Sequence, residues 1–261
     1  MMAFIQELKI RNEALYYFGL LNFVAAILMI LLAQFTSVKV YNVNAWYKPI
    51  KFALSIGMYA WTMAWYIYYL PSFNTGLFNI AIIVLLGFEL VYIVLQAARG
   101  QLSHYNISTP FYASLYVLMA LAASLVTIYT LYVGILFFKT PFPELPVYYL
   151  WLIRLGIIIF VVFSFEGFVM GSRMTHTIGG PDGEAGLPFL NWSYRYGDPR
   201  VAHFIGMHAL QVLPLLSFYL LRNTRAVFIV SIVYALLATF TLIQALNGEP
   251  VKKEEKRGNV E

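Results

Sequence analysis

The chain contains no cysteine among its 261 residues. Disulfides, thiolate metal centres, iron–sulfur clusters and cysteine nucleophiles are therefore excluded together. Charge is also scarce. Charged residues make up 11% and hydrophobic residues 61% of the chain, with a mean hydropathy of +0.73. Ordinary soluble domains carry about 25% charged and about 45–50% apolar residues. That balance excludes a disordered chain and argues against a soluble globular enzyme. No internal repeat, low-complexity tract or inverted-repeat transporter signature is visible. The N-terminus lacks the small-residue cleavage pattern of a signal peptide, so the first apolar segment is expected to be retained.

Long apolar runs and aromatic rings are abundant. A bilayer span takes about 20 mostly apolar residues. Seven segments qualify: 14–34, 49–70, 77–98, 111–138, 147–171, 199–221 and 226–247. The expected fold is all-α, a polytopic membrane protein with a single bundle of seven transmembrane helices over residues 1–248. A charged tail, 249–261, is expected to be disordered. The 20 Tyr and 21 Phe suit rings at both membrane interfaces. Pro49 opens the second segment, Pro71 ends it, and Pro110 precedes the fourth. Asp198-Pro199 sets an N-cap acid before a proline at the start of the sixth. Pro214 lies inside that segment and is expected to kink it.

Lys and Arg set the orientation. The side shared with the N-terminus holds Lys9, Arg11, Lys139, Arg222 and Arg225. The opposite side holds Lys39, Lys48, Lys51, Arg99, Arg173, Arg195, Arg200, Lys252, Lys253, Lys256 and Arg257. The positive-inside rule then places the N-terminus outside and the C-terminus in the cytoplasm of a cell-membrane protein. The net charge of +5 reads as topology rather than as a nucleic-acid interface.

Ionisable groups inside a membrane are costly and default to functional candidates. Glu89, Arg154 and Glu166 lie well within segments, and all four histidines fall on the cytoplasmic side. Glu89, Tyr92, Gln96 and Arg99 follow one helical face of the third segment. At 1.5 Å per residue, Glu89 lies about 13–14 Å from the edge, as does His208, with His203 at about 6 Å and Glu166 at about 8 Å. Gln211 extends the polar face of the sixth segment, and Gln244 sits at similar depth on the seventh. His203 and His208 are five residues apart, about 140° around the helix, so they cannot share one ion as HExxH histidines do. His104 lies in the loop after the third segment. The loop 172–198 mixes turn residues with apolar anchors and reads as an ordered lid, with His176, Asp182 and Trp192 as its roof. Arg154 reads as structural, through snorkelling or pairing.

These residues point first to a haem b or a divalent metal in a buried His/Glu site. His203, His208, His104 and His176 are the imidazole candidates, with Arg99 or Arg200 for haem propionates. Glu89 and Glu166 join His203 and His208 as the metal candidates. A proton-coupled transporter or channel is the alternative, since Glu89, Glu166 and His208 could form a relay. In size the chain resembles the alkaline ceramidase and adiponectin-receptor-like superfamily of intramembrane metal hydrolases. It has no HxxxH near the C-terminus and no His in the seventh segment, so the resemblance is of size alone. A retinal protein is excluded because the seventh segment has no Lys for a Schiff base. The expected partners are the bilayer, a redox partner or small solute, and a second copy of the chain.

Overall fold

A computed structural model describes residues 2–184 and 186–251. The tail positions Lys252, Lys253, Lys256 and Arg257 lie outside the described residues. Among the described residues the regular elements are eight helices and one two-stranded hairpin. Its helices are α1 (Met2–Arg11), α2 (Glu13–Phe35), α3 (Tyr47–Ile67), α4 (Thr75–Ala98), α5 (Pro110–Lys139), α6 (Val147–Arg173), α7 (Arg200–Tyr219) and α8 (Thr224–Leu246). Five of them, α2, α4, α5, α6 and α8, are long and apolar enough to cross a membrane. Helices α3 and α7 are less apolar than these five, and both carry polar side chains towards the interior described below.

Local chemistry sets the helix ends. Asn12, Asn74 and Thr109 cap α2, α4 and α5, accepting from the amides of Leu15, Leu77 and Tyr112. Pro110 occupies the first turn of α5, where its missing N–H costs nothing. Met174 ends α6 in the left-handed region, with φ 54°. Pro214 lies inside α7 and cannot donate to the Leu210 carbonyl one turn back. The Tyr66 hydroxyl of α3 donates to that carbonyl instead, at 2.7 Å. A proline in this helix is thus tolerated because a neighbour satisfies the carbonyl it frees.

The α6–α7 contact is close because Gly206 carries no side chain. A Cβ there would lie 2.0 Å from the Phe163 ring. Leu210, Ile153, Ile157, Phe160, Met63 and Phe137 are among the residues of the main buried cluster.

Chain alternation gathers the segments after α2, α4, α6 and α8 at one end of the bundle, here called the lid end. The hairpin pairs β1 (Lys39–Val40) with β2 (Val43–Asn44) there. Segment 174–199 folds over the same end. Ile178 and Gly197 exchange backbone hydrogen bonds at 2.8 and 3.0 Å, and Leu187 donates to Trp192 at 2.8 Å. Gly197 lies so close to α8 that an added Cβ would stand 1.9 Å from the Ala245 carbonyl oxygen.

Candidate functional site

A cavity of about 650 Å³ opens beneath the lid, walled by α3, α4, α5, α6 and α7. His104, His176, His203 and His208 all line it, from two loops and one helix. Lys48, Lys51 and Arg200 line its mouth, and Glu89, Ser55 and Ser164 line it deeper in. Phe52, Tyr59, Phe160 and Met207 supply apolar wall. The expected roof residues Asp182 and Trp192 and the expected Gln211 are also on the lining.

The four imidazoles share one feature. In each, Nδ1 faces an oxygen: His176 with Asp182 Oδ2 at 2.8 Å, His104 with Ser103 Oγ at 3.2 Å, His208 with Gln211 Oε1 at 3.3 Å and His203 with Glu166 Oε2 at 3.2 Å. The last is a close contact without hydrogen-bond alignment. Gly167 makes room for it, since an added Cβ would stand 3.0 Å from His203 Cε1. Among the described residues, none of the four Nε2 atoms has a hydrogen-bond partner.

The His176–Asp182 pair is the best held. Asp182 accepts hydrogen bonds from Thr175 and Thr177 hydroxyls, each at 2.8 Å, and from the His176 backbone N–H. Burial alone would raise its carboxyl pKa, but the donors from His176 and Thr175 outweigh it and hold it well below the usual carboxylate range. Burial pushes the His176 imidazole down to about 4, against the raising effect of Asp182. At neutral pH the pair is a neutral imidazole donating from Nδ1 to a carboxylate, and Nε2 carries a free lone pair. His104 is likewise pushed well below its ordinary value, by burial first and then by Lys48, His176 and His203. Its ring and that of Tyr105 lie 6.2 Å apart, and Tyr105 in turn lies 4.8 Å from His176.

The cations at the mouth differ in their commitments. Arg200 donates to Asp198 through Nε at 2.8 Å and through Nη2, and its Nη2 also reaches the Asn191 carbonyl at 2.7 Å. Asp198, 1% exposed, further accepts from the Ser193 amide. Lys51 donates to the Leu190 carbonyl at 2.8 Å, tying α3 to the lid. Among the described residues, Lys48 has neither a hydrogen-bond nor an ion-pair partner.

Several expected site residues lie off the cavity lining. Arg99 closes α4, its backbone N–H bonding to the last carbonyls of that helix. Gln96 donates to the Leu102 carbonyl at 3.0 Å and approaches Tyr92 Oη at 3.4 Å, so this face folds the following loop. Gln244 donates to the Pro250 carbonyl at 2.8 Å and closes α8. Glu166 stands behind His203 rather than on the cavity wall. Among the described residues, no three His, Asp or Glu side chains converge closely enough to hold a metal ion. Sequence reasoning missed Lys48, Lys51 and Ser164 as site residues. The first two stand three residues apart on one face at the start of α3, and Ser164 lies two residues before Glu166. No protein-family model, curated protein or solved structure matches this chain.

Proposed function

We propose that this is a seven-crossing membrane protein whose cavity binds an anionic, amphipathic cofactor through imidazole, haem b being the group whose chemistry matches. The observation that carries the reading is that four imidazoles line one cavity, three of them with Nδ1 hydrogen-bonded to a neighbouring oxygen and the fourth with Nδ1 close to Glu166, and that no Nε2 has a hydrogen-bond partner among the described residues. An Nδ1–H held by a carboxylate or other oxygen fixes the tautomer and orientation of a metal-ligating histidine. His176, anchored by Asp182, is the first choice of ligand, and His208 the second. A bare divalent ion takes three or four protein donors, whereas haem brings its ring nitrogens and takes one or two axial ligands. Among the described residues no three such donors converge. Lys48, free at the mouth, is the first candidate to pair with a propionate, and the aromatic and aliphatic walls suit the macrocycle. Bound there, haem would supply an iron able to exchange one electron or bind a small ligand.

Seven crossings follow if α3 and α7 cross with the other five. They have 21 and 20 residues, long enough for about 30 Å of hydrocarbon. Their lower hydropathy comes from Lys48, Lys51, His203, His208 and Gln211, which face the cavity rather than lipid. With basic residues concentrated at the lid end, that end lies in the cytoplasm and the N-terminus outside.

The test is the visible spectrum of protein purified from haem-replete cells, oxidised and then reduced with dithionite. A Soret band with a reduced α-band of imidazole-ligated haem is expected, and His176→Ala should abolish or shift it. Colourless protein that also fails to take up added haemin would overturn the reading in favour of proton-coupled transport.

A further inference from the structure

The deeper part of the cavity holds polar groups that the haem reading does not use. Glu89 on α4 is 6% exposed, and neither carboxyl oxygen has a hydrogen-bond partner among the described residues. The Ser164 hydroxyl on α6 is buried and unpartnered as well. Both residues line the cavity. Ser55 on α3 and His208 on α7 line it from two further helices.

The depths of these residues coincide. Glu89 and Ser164 each stand nine residues from the lid-end terminus of their helix, and Ser55 and His208 eight. At 1.5 Å per residue this is a belt about 12–14 Å below the mouth. Lys48 and Arg200 stand in the first turn of α3 and α7, at the other limit of the same cavity. Phe160, Tyr59 and Ile93 supply apolar wall.

An unpartnered buried polar group costs more than a made hydrogen bond gains. Both protonation states of a carboxyl accept a hydrogen bond, so a donor satisfies Glu89 in either state, and a hydroxyl, which also accepts, serves the O–H of the protonated acid as well. Nothing in the described chain does so.

We infer that the ligand of this cavity is bipolar, with an anionic end at Lys48 and a hydrogen-bond-donating substituent, a hydroxyl in the simplest case, at the Glu89–Ser164 belt. Applied to haem, this rests on the reading above and specifies a macrocycle with hydroxyl substituents on the edge opposite its propionates. Applied to the cavity alone, it specifies any rigid or extended amphiphile of that length and polarity.

The experiment titrates full-length apo-protein with two iron porphyrins and two carboxylic acids. Iron haematoporphyrin carries hydroxyethyl groups where iron mesoporphyrin carries ethyl groups, and both keep two propionates. The acids are 12-hydroxydodecanoate and dodecanoate, followed by protein thermal shift at submicellar concentration. The hydroxylated member of a pair should bind roughly tenfold more tightly. Glu89→Leu should bring the two members within roughly twofold, chiefly by weakening the hydroxylated one. Glu89→Gln, whose amide oxygen still accepts, should retain most of the preference. The inference is overturned if neither pair shows a preference that depends on Glu89. Failure of the haem reading looks different: neither porphyrin gives an imidazole-type spectrum, while the acids still report on the belt.

Discussion

The two ends of the bundle treat buried polar groups in opposite ways. Away from the lid, they close on the protein itself. The Arg154 guanidinium sits inside α6 and donates twice to the Phe137 carbonyl, at 2.9 and 2.8 Å, with the Phe138 and Trp151 rings at 5.0 and 5.1 Å. Phe137 is in the last turn of α5, where carbonyls have no partner within the helix. Asn12 and Asn79 exchange amide hydrogen bonds between α2 and α4, at 2.9 and 3.1 Å. At the lid end, the four histidines, Glu89, Ser164 and Lys48 line one cavity, and their Nε2, carboxyl, hydroxyl and ammonium groups have no hydrogen-bond partner among the described residues. Unpartnered buried atoms occur elsewhere as well, at Arg11, Asn22, Gln96, Glu166 and Ser231, but none of these residues lines the cavity. The contrast separates polar residues that hold helices together from polar residues held ready for something else. Intramembrane charge alone does not distinguish them, since Arg154 and Glu89 are equally anomalous in the sequence.

The contrast can be broken first by packing. Gly197→Ala forces a Cβ against the Ala245 carbonyl and should cost about 3 kcal/mol of stability, measured by denaturation in mixed micelles. The loss should fall on the lid as well as on the global transition. Next in size, Arg154→Met leaves the Phe137 carbonyl bare and should cost about 2 kcal/mol. Haemin affinity should stay at the wild-type value in that variant, because Arg154 belongs to the closed end. A parallel loss of haemin binding would erase the distinction between the ends. Asp182→Asn should act in the opposite sense. It removes the carboxylate that orients His176 and should weaken haemin binding roughly 10–100-fold, with a smaller change in global stability than Arg154→Met.

The smallest effect expected is a pH dependence confined to the lid. The folded-state pKa of His176 is about 4, below its ordinary 6.5. Between those values the unfolded segment binds more protons than the folded one, so stability rises with pH across the window. The contribution is present above pH 6.5 and is lost as pH falls towards 4. Amide exchange of apo-protein should therefore show faster opening around His176 and Asp182 on acidification through that range, with the α5–α6 contact at Arg154 unaffected. Unchanged exchange at His176 would show that its burial is not coupled to lid closure.

Much of the helical layout was legible because apolar runs end at residues with capping chemistry. The segments 14–34 and 111–138 correspond to Glu13–Phe35 and Pro110–Lys139, bounded by Asn12 and by Thr109-Pro110. Helix α1 was not legible as a separate element, since only Asn12 parts it from α2. Depth grouped Glu89, Glu166, His203 and His208 in the lid-end half of the bundle, about 6–14 Å from its edge, and of these Glu89, His203 and His208 line the cavity. Depth does not reveal azimuth. It grouped Gln96 and Gln244 with the site, whereas their amides close the ends of their own helices. The convergence of His104 and His176 depends on two loops folding over the bundle, through contacts such as Lys51 to Leu190 that span more than a hundred residues. No local pattern encodes contacts of that separation. Lys48 and Lys51 were counted for orientation, and their place at the cavity mouth emerges only once α3 stands against the lid.

The most direct test of the contrast is a haemin titration across the four single variants His104→Ala, His176→Ala, His203→Ala and His208→Ala, with Arg154→Met as the control. The account predicts a saturable Soret shift in wild type and in the control, and its loss or displacement in His176→Ala and in at least one other histidine variant. A wild-type protein that gives no shift, or four histidine variants that all bind as wild type does, would contradict it.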